Sequence, residues 1–363
     1  MSVVHVDLGE RGYDIHVGEG VLDSAGGLIA AVSKARAAAV VTNPRIGNLY
    51  AERLVKSLGS AGIDAHVITI PAGERYKTLN TVRRVYERML DHRIDRTGTV
   101  IGLGGGVVGD LAGFVAATYL RGVEFVQIPT SLLAQVDASV GGKVGVDLPR
   151  GKNLVGAFYQ PKIVLADIGT LRTLRRAQFR SGLAEVIKHG IILDSDYYSY
   201  LERNLAAVMR LESEALQHIV ERSCELKAWV VAQDEKESGL RAILNYGHTV
   251  GHAVESLTGY KRVLHGEAVA IGMVAAALIA REMGLADESL ARRIADLLAR
   301  VGLPSKPPAD VSHDAILEAM KLDKKVARGK LRFVLVREIG SAFVSQDVTP
   351  EIIRKALREQ ERL

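Results

Sequence analysis

The sequence has almost no cysteine. Cys224 is the only one in 363 residues, so no internal disulfide can form, and a reducing compartment, the cytoplasm, is expected. Long apolar runs are missing too. The longest, Ala268–Ala280, has 13 residues between Glu267 and Arg281, too few to span a bilayer and better suited to a buried helix. The opening residues Met1 to Asp7 lack a basic region followed by an apolar core, so no secretory leader is expected. The formal charge of +5 is spread among acids and not gathered in a tail. With no aromatic–basic interleaving and no zinc-finger spacing, neither nucleic acid nor a membrane is an expected partner. The small basic excess suits an anionic small molecule, or serves only solubility. No repeat or low-complexity segment is visible.

What is present fits a soluble globular protein, with 48% hydrophobic and 25% charged residues. The length exceeds one typical core, so two domains are expected. In the first part, short apolar runs alternate with helical patterns. Strands are expected at Val3–Leu8, Tyr13–Val17, Ala37–Thr42, Ala65–Ile70, Thr99–Leu103, Val123–Ile128 and Lys162–Ala166. Continuous apolar strands separated by helices imply a parallel sheet covered on both faces. Beyond about Leu171, helix-period segments dominate: Phe179–Leu193, Tyr197–Arg210, Ala215–Asp234, His248–Leu257, Glu267–Met283, Leu290–Val301 and Pro350–Glu361, with one strand at Leu331–Val336. The expected division is an α/β domain over residues 1–169 and a mostly helical domain over 170–363.

Three features carry candidate chemistry. Gly104, Gly106 and Gly109 satisfy Gly-x-Gly-x-x-Gly between a strand and a helix, a place where backbone can approach a pyrophosphate. No acid lies cleanly about twenty residues beyond, so this is not a standard Rossmann first unit; a close-packed turn is the plainer alternative. Between Thr130 and Gly156 lies a glycine-rich polar stretch with Lys143 and Lys152, either of which could meet a phosphate as a point charge or sit on a surface turn. The third is Asn245–Glu267. His248 and His252 share one helical face at i, i+4, and His265 returns from a loop before the apolar helix. Imidazoles in this pattern suit a zinc-type site, or two of them are ordinary surface or core histidines. Glu185 could complete a Glu185/His248/His265 set with an open position. Its i+3 neighbour Lys188 forms at least a helix ion pair, and His189 is read as structural.

Together the runs Pro71-Ala-Gly-Glu74-x-x-Lys77-Thr, Leu103-Gly-Gly-Gly-Val-Val-Gly-Asp110, Thr118-Tyr-Leu-Arg121-Gly, Gln127 to Asp137, Gly141-Gly-Lys143, Gly151-Lys-Asn153-Leu-Val-Gly, Ala184-Glu-Val-Ile-Lys188, Asn245-Tyr-Gly-His248-Thr-x-Gly-His252, Leu264-His-Gly-Glu267 and Asp323-Lys324-Lys325 resemble the dehydroquinate synthase family. The match runs through nearly the whole chain in order. One departure is Leu174-Arg-Arg-Ala-Gln-Phe179, where the family usually has Leu-Pro-x-x-Glu-Phe.

The resemblance implies an NAD-binding α/β domain, then a mostly helical metal-binding domain, with the active site in the cleft between. It implies zinc or cobalt on Glu185, His248 and His265, with His252 a substrate residue, a choice the helical face alone leaves open. It puts NAD on Asn43, Glu74, Lys77, Gly105, Gly106, Asp110, Thr130, Ser131 and Leu133, with Asp137, Lys143 and Lys152 close by. Asp137, Lys143, Lys152, Asn153, Lys188, Lys227, Arg241, Asn245, His252 and Lys324 would contact substrate. Arg121 would reach a neighbouring subunit, implying a homodimer. The implied reaction converts 3-deoxy-D-arabino-heptulosonate 7-phosphate to 3-dehydroquinate and phosphate, by transient oxidation, elimination, re-reduction and cyclisation. Rival readings are a sugar-phosphate cyclase making an inosose or valiolone-type ring, a metal-dependent polyol dehydrogenase, and a non-enzymatic NAD-binding regulator.

Overall fold

The computed structural model describes residues 1–322 and 332–363. Contacts divide the chain into two compact units: Met1–Leu174 with Ser213–Lys236, and Arg175–Glu212 with Glu237–Leu363.

The first unit is α/β. Its strands in chain order are β1 (Ser2–Val6), β2 (Tyr13–Gly18), β3 (Ala37–Thr42), β4 (Asp64–Thr69), β5 (Thr99–Gly104), β6 (Glu124–Pro129), β7 (Lys143–Leu148), β8 (Gly151–Phe158) and β9 (Ile163–Asp167). Seven of them form one sheet in the order β1-β2-β9-β6-β5-β3-β4. Only the edge pair β1 and β2 is antiparallel in it. Side chains alternate between faces, so a strand covered on both sides reads as an unbroken apolar run. Val40, Ile101, Leu103, Val126 and Ile128 pack with Leu54 and Leu58 of the helix Pro44–Ser60. Their neighbours Ala39, Val41, Val100 and Phe125 turn the other way, towards Val85 and Met89 of Leu79–Asp91 and Leu111, Ala112 and Val115 of Gly106–Thr118. The chain leaves β3 for β4 on one side and β5 for β6 on the other, so the direction reverses between the neighbours β3 and β5. Such a reversal opens a crevice at the carboxyl ends of the two diverging strands.

Two expectations need correction. The helix Ser213–Gln233, grouped by sequence with residues 170–363, belongs to the first unit. It packs on β1, β2 and the π-helical turn Ala134–Ala138. Gln217 donates from Nε2 to the Val17 carbonyl at 3.0 Å, and Cys224 from Sγ to the Gln135 carbonyl at 3.3 Å. Periodicity reports that a face is buried, not what buries it. The break itself lies after Leu174 and not Gly169, because Thr170 is held to the first unit by Oγ1 donating to Asp167 O at 2.7 Å. The glycine-rich stretch after Lys143 is the antiparallel hairpin β7–β8, in which Gly145 faces Gly156 and obscures the strand pattern.

The second unit is mostly helical. The helix His265–Glu282 is buried from Ala268 to Ala280, as expected of a helix that is apolar all round. Around it stand Arg176–Leu193, His248–Leu257, Glu288–Val301, Pro350–Gln360 and the strand Phe333–Glu338. That strand begins two residues later than the sequence suggests and pairs with an unforeseen one, Ser341–Ser345. The helix His313–Leu322 was likewise unforeseen. Asp323, Lys324 and Lys325, and with them the substrate role expected of Lys324, lie outside the described residues.

Candidate active site

In the helical unit, Glu185 comes from Arg176–Leu193, while His248 and His265 each open a helix. The three helices meet at backbone contact. A Cβ on Gly266 would lie 1.9 Å from the Ser181 carbonyl oxygen, and one on Gly272 1.8 Å from that of Gly247. Gly247 itself has φ +78, a conformation glycine adopts readily, and it turns the chain into His248. The sequence puts His265 in a loop ahead of a helix starting at Glu267. In the structure it is already helical, because the Glu267 carboxylate folds back to accept the Leu264 N–H at 2.7 Å.

These elements bring Glu185 Oε1 within 3.7 Å of His248 Nε2 and 3.6 Å of His265 Nε2. The three residues offer ligand atoms all within 4.8 Å of one another. Glu185 is 0% exposed, and neither of its oxygens has a hydrogen-bond donor in good geometry. Lys188, also buried, ion-pairs with Oε2, so this is no surface helix pair. The His252 ring lies 5.3 Å from that of His248 and 6.4 Å from that of His265. Arg241 is 2% exposed on the turn Leu240–Asn245, and Asn245 donates from Nδ2 to Glu237 Oε1 at 2.6 Å.

The three groups differ in their electrostatics. Burial alone would raise the Glu185 carboxyl, but Lys188 and the two imidazoles hold it well below the usual range. Burial, reinforced by Lys188, pushes His248 well below its ordinary value and keeps it neutral. Burial opposes the charge on His265, but Glu185 and Glu255 outweigh it and raise this imidazole to about 10. A carboxylate and two imidazoles form a three-ligand set that leaves a position open, as in catalytic zinc sites. The residues present therefore fit a divalent metal.

In the α/β unit, the candidate cofactor residues gather at strand ends. Gly105 and Gly106 begin the helix after β5, and Thr130, Ser131 and Leu133 follow β6. Asn43, after β3, caps the next helix by accepting the Ile46 N–H at 3.1 Å. The glycine loop thus stands at the reversal between β3 and β5, where a dinucleotide is expected. The glycines also set packing: a Cβ on Gly104 would come within 2.7 Å of Val108 and one on Gly109 within 2.9 Å of Gln127 Oε1. Lys77 is 3% exposed and donates at 2.5 Å to both Asp110 Oδ2 and Asn153 Oδ1. Burial would lower its ammonium, but Asp110 and Glu74 hold it above the usual value. Lys152 reaches Glu74 at 3.7 Å. Lys227 donates to both the carbonyl and the carboxylate of Asp137 at 2.5 Å. Lys143 and Arg121 are exposed, and Arg121 follows Leu120 in a turn where both have positive φ.

Sequence reasoning missed the partners of the imidazoles. Glu255 approaches His265 Nδ1 at 3.2 Å, and the Tyr246 carbonyl approaches His248 Nδ1 at 3.1 Å. The signal for Glu255 was its place seven residues after His248, two turns along the same helical face.

The chain is similar to known proteins along nearly its whole length. The family model "3-dehydroquinate synthase N-terminal" matches residues 67–181, and "3-dehydroquinate synthase C-terminal" matches residues 182–326. A 3-dehydroquinate synthase of Desulforamulus reducens is 50% identical over 348 residues, covering 96% of this chain and 97% of that protein. A crystal structure of 2-deoxy-scyllo-inosose synthase complexed with carbaglucose-6-phosphate, NAD+ and Co2+ superposes with a TM-score of 0.90 at 28% identity, covering 99% of this chain and 100% of that one. The 2-epi-5-epi-valiolone synthase of Streptomyces hygroscopicus, with NAD+ and Zn2+ bound, gives 0.88 at 29% identity, covering 96% and 97%.

Proposed function

The chain belongs to the 3-dehydroquinate synthase family, and we infer that it converts 3-deoxy-D-arabino-heptulosonate 7-phosphate to 3-dehydroquinate and phosphate. The observation that carries this reading is the buried Glu185 carboxylate with two imidazole Nε2 atoms turned towards one of its oxygens. Glu185, His248 and His265 hold one zinc or cobalt ion. Asn43, Glu74, Lys77, Gly105, Gly106, Asp110, Thr130, Ser131 and Leu133 hold NAD, with Asp137, Lys143 and Lys152 beside it. When bound, NAD supplies a reversible hydride acceptor, and the metal a Lewis acid for the substrate hydroxyls.

The protein's own groups position and neutralise. Lys188 keeps Glu185 anionic. Arg241 offers a fork of parallel donors to the substrate carboxylate, which a lysine cannot reproduce. Lys152, Asn153, Asn245, His252 and Lys324 are the residues proposed to contact the phosphate, the cations among them balancing its charge as it departs. Lys227 orients Asp137, and both meet the substrate. Cations held in fixed positions keep one anionic substrate oriented through oxidation, elimination, re-reduction and ring closure. A homodimer joined through Arg121 is part of this proposal, supported by the family resemblance, and the exposure of that turn is compatible with it. The single buried Cys224 supports a cytoplasmic setting. Among the described residues, no helix is long and apolar enough to cross a membrane.

A related cyclase making an inosose or valiolone-type ring is the second reading, favoured by the two solved structures. Substrates of that type lack the carboxylate that a buried Arg241 suits. The test is phosphate release from the heptulosonate phosphate with NAD present, with the product identified and NADH absorbance followed. Phosphate and 3-dehydroquinate in equal amounts, without NADH accumulation, are expected. Stoichiometric NADH would point to a polyol dehydrogenase.

A further inference from the structure

The two imidazoles facing Glu185 are tethered in the same sense but by different groups. His248 has Nδ1 at 3.1 Å from the Tyr246 carbonyl and Nε2 at 3.7 Å from Glu185 Oε1. A carbonyl can only accept, so the Nδ1 atom carries the proton and the Nε2 lone pair is left for a metal. His265 has Nδ1 at 3.2 Å from Glu255 Oε2 and Nε2 at 3.6 Å from Glu185 Oε1. Glu255 is itself 6% exposed, and a carboxylate this deep is retained only where it meets a donor. Building on the metal reading above, we propose that Glu255 is a positioning residue for the metal centre. It accepts the Nδ1–H of His265, fixes the plane of that ring, and commits Nε2 to the divalent ion.

The two tethers differ in charge. The carbonyl behind His248 is neutral and cannot be exchanged by mutation. The carboxylate behind His265 is anionic, and a ligating imidazole that donates to a carboxylate becomes a stronger ligand. His265 is therefore the ligand whose strength the sequence can tune, and Glu255 is the residue that tunes it. The helix His248–Leu257 thus supplies one ligand from its first residue and the support for the other ligand from two turns further along.

The test uses the full chain and reads metal binding directly. Glu255→Gln keeps the size and an acceptor oxygen but removes the charge, and Glu255→Ala removes both. Dissociation constants for Zn2+ and Co2+ are measured by chelator competition, and the visible absorption of bound Co2+ is recorded. Affinity should weaken about ten- to hundredfold, more for Ala than for Gln, with the Co2+ band altered in both. A residue that only packs would lower the melting temperature of the metal-free protein and leave the Co2+ affinity and band unchanged, and that result overturns the proposal. Should the variants not fold, the wild-type chain decides: with 15N-labelled histidine and bound metal, His265 must show a protonated Nδ1 and a metallated Nε2. A metallated Nδ1 overturns the proposal. A wild-type chain that binds neither metal refutes the metal reading beneath it, and this is distinct from tight wild-type binding that the Glu255 variants leave unchanged.

Discussion

The two units assemble their polar residues by different means. In the α/β unit, candidate site residues stand on strand ends and loops, and buried cations meet carboxylates at hydrogen-bond distance, Lys77 with Asp110 and Lys227 with Asp137, each at 2.5 Å. In the helical unit, the residues rise from helices packed backbone to backbone. There the Glu185 carboxylate faces imidazole nitrogens at 3.6 and 3.7 Å, beyond hydrogen bonding and suited to sharing a third body. The first arrangement balances its own charges. The second has its geometry set by the spacing of helices, with Lys188 on one oxygen of Glu185 and two imidazoles turned towards the other.

The sharpest way to break this contrast is at the helical cluster. Replacing Glu185, His248 or His265 by Ala should abolish stoichiometric metal and lower turnover about a thousandfold or more, the equivalent of several kcal/mol. Metal analysis checks it, and full occupancy in all three variants would refute the ligand set. Next comes Arg241→Ala. Loss of a buried guanidinium that pairs with a substrate carboxylate should cost about 2–5 kcal/mol in kcat/KM. Fold and metal content are checked alongside, because a surface pair would cost at most about 1 kcal/mol. Unchanged kcat/KM would move the reading towards a cyclase whose substrate has no carboxylate, with sedoheptulose 7-phosphate as the substrate to try.

Packing gives a smaller and more direct comparison. An added methyl at Gly272 meets the Gly247 carbonyl at 1.8 Å, whereas at Gly113 it meets a side chain, Val144 Cγ1, at 2.3 Å. Backbone cannot step aside as a side-chain tip can. Gly272→Ala should destabilise by about 3 kcal/mol or more and Gly113→Ala by about 1–3 kcal/mol. Denaturant melts rank them, and equal losses would remove the distinction between backbone and side-chain contact. The smallest effect is expected at Lys152, partly exposed and 3.7 Å from Glu74. Lys152→Ala should change stability by about 1 kcal/mol at most, yet raise KM for the phosphorylated substrate. A large stability loss with KM unchanged would make it a structural residue.

Much of this was legible in the sequence. The alternation of apolar runs and helical segments reported the parallel sheet, because strands buried on both faces leave no polar alternation to confuse them. Residue type and spacing picked out Glu185, His248 and His265. They left His252 open, since i and i+4 share a face and only the third helix decides which ring turns towards Glu185. The hairpin of β7 and β8 was hidden by its facing glycines. Glu255 was hidden because its partner His265 begins a different helix. Lys188 read as an ordinary i, i+3 pair because exposure is a property of packing, and the same holds for Arg241.

The return of Ser213–Gln233 to the first unit has a consequence for synthesis. The chain passes from one unit to the other after Leu174, Glu212 and Lys236. A ribosome that has made the last strand of the large sheet has not yet made the helix that packs on β1 and β2. At about 5–20 residues per second, that covering helix arrives only after some seconds, and two helices of the second unit emerge ahead of it. Neither unit is therefore a contiguous gene segment. A fragment ending at Leu174 would leave the face of β1 and β2 in water, and one starting at Arg175 would carry a helix whose partners are missing.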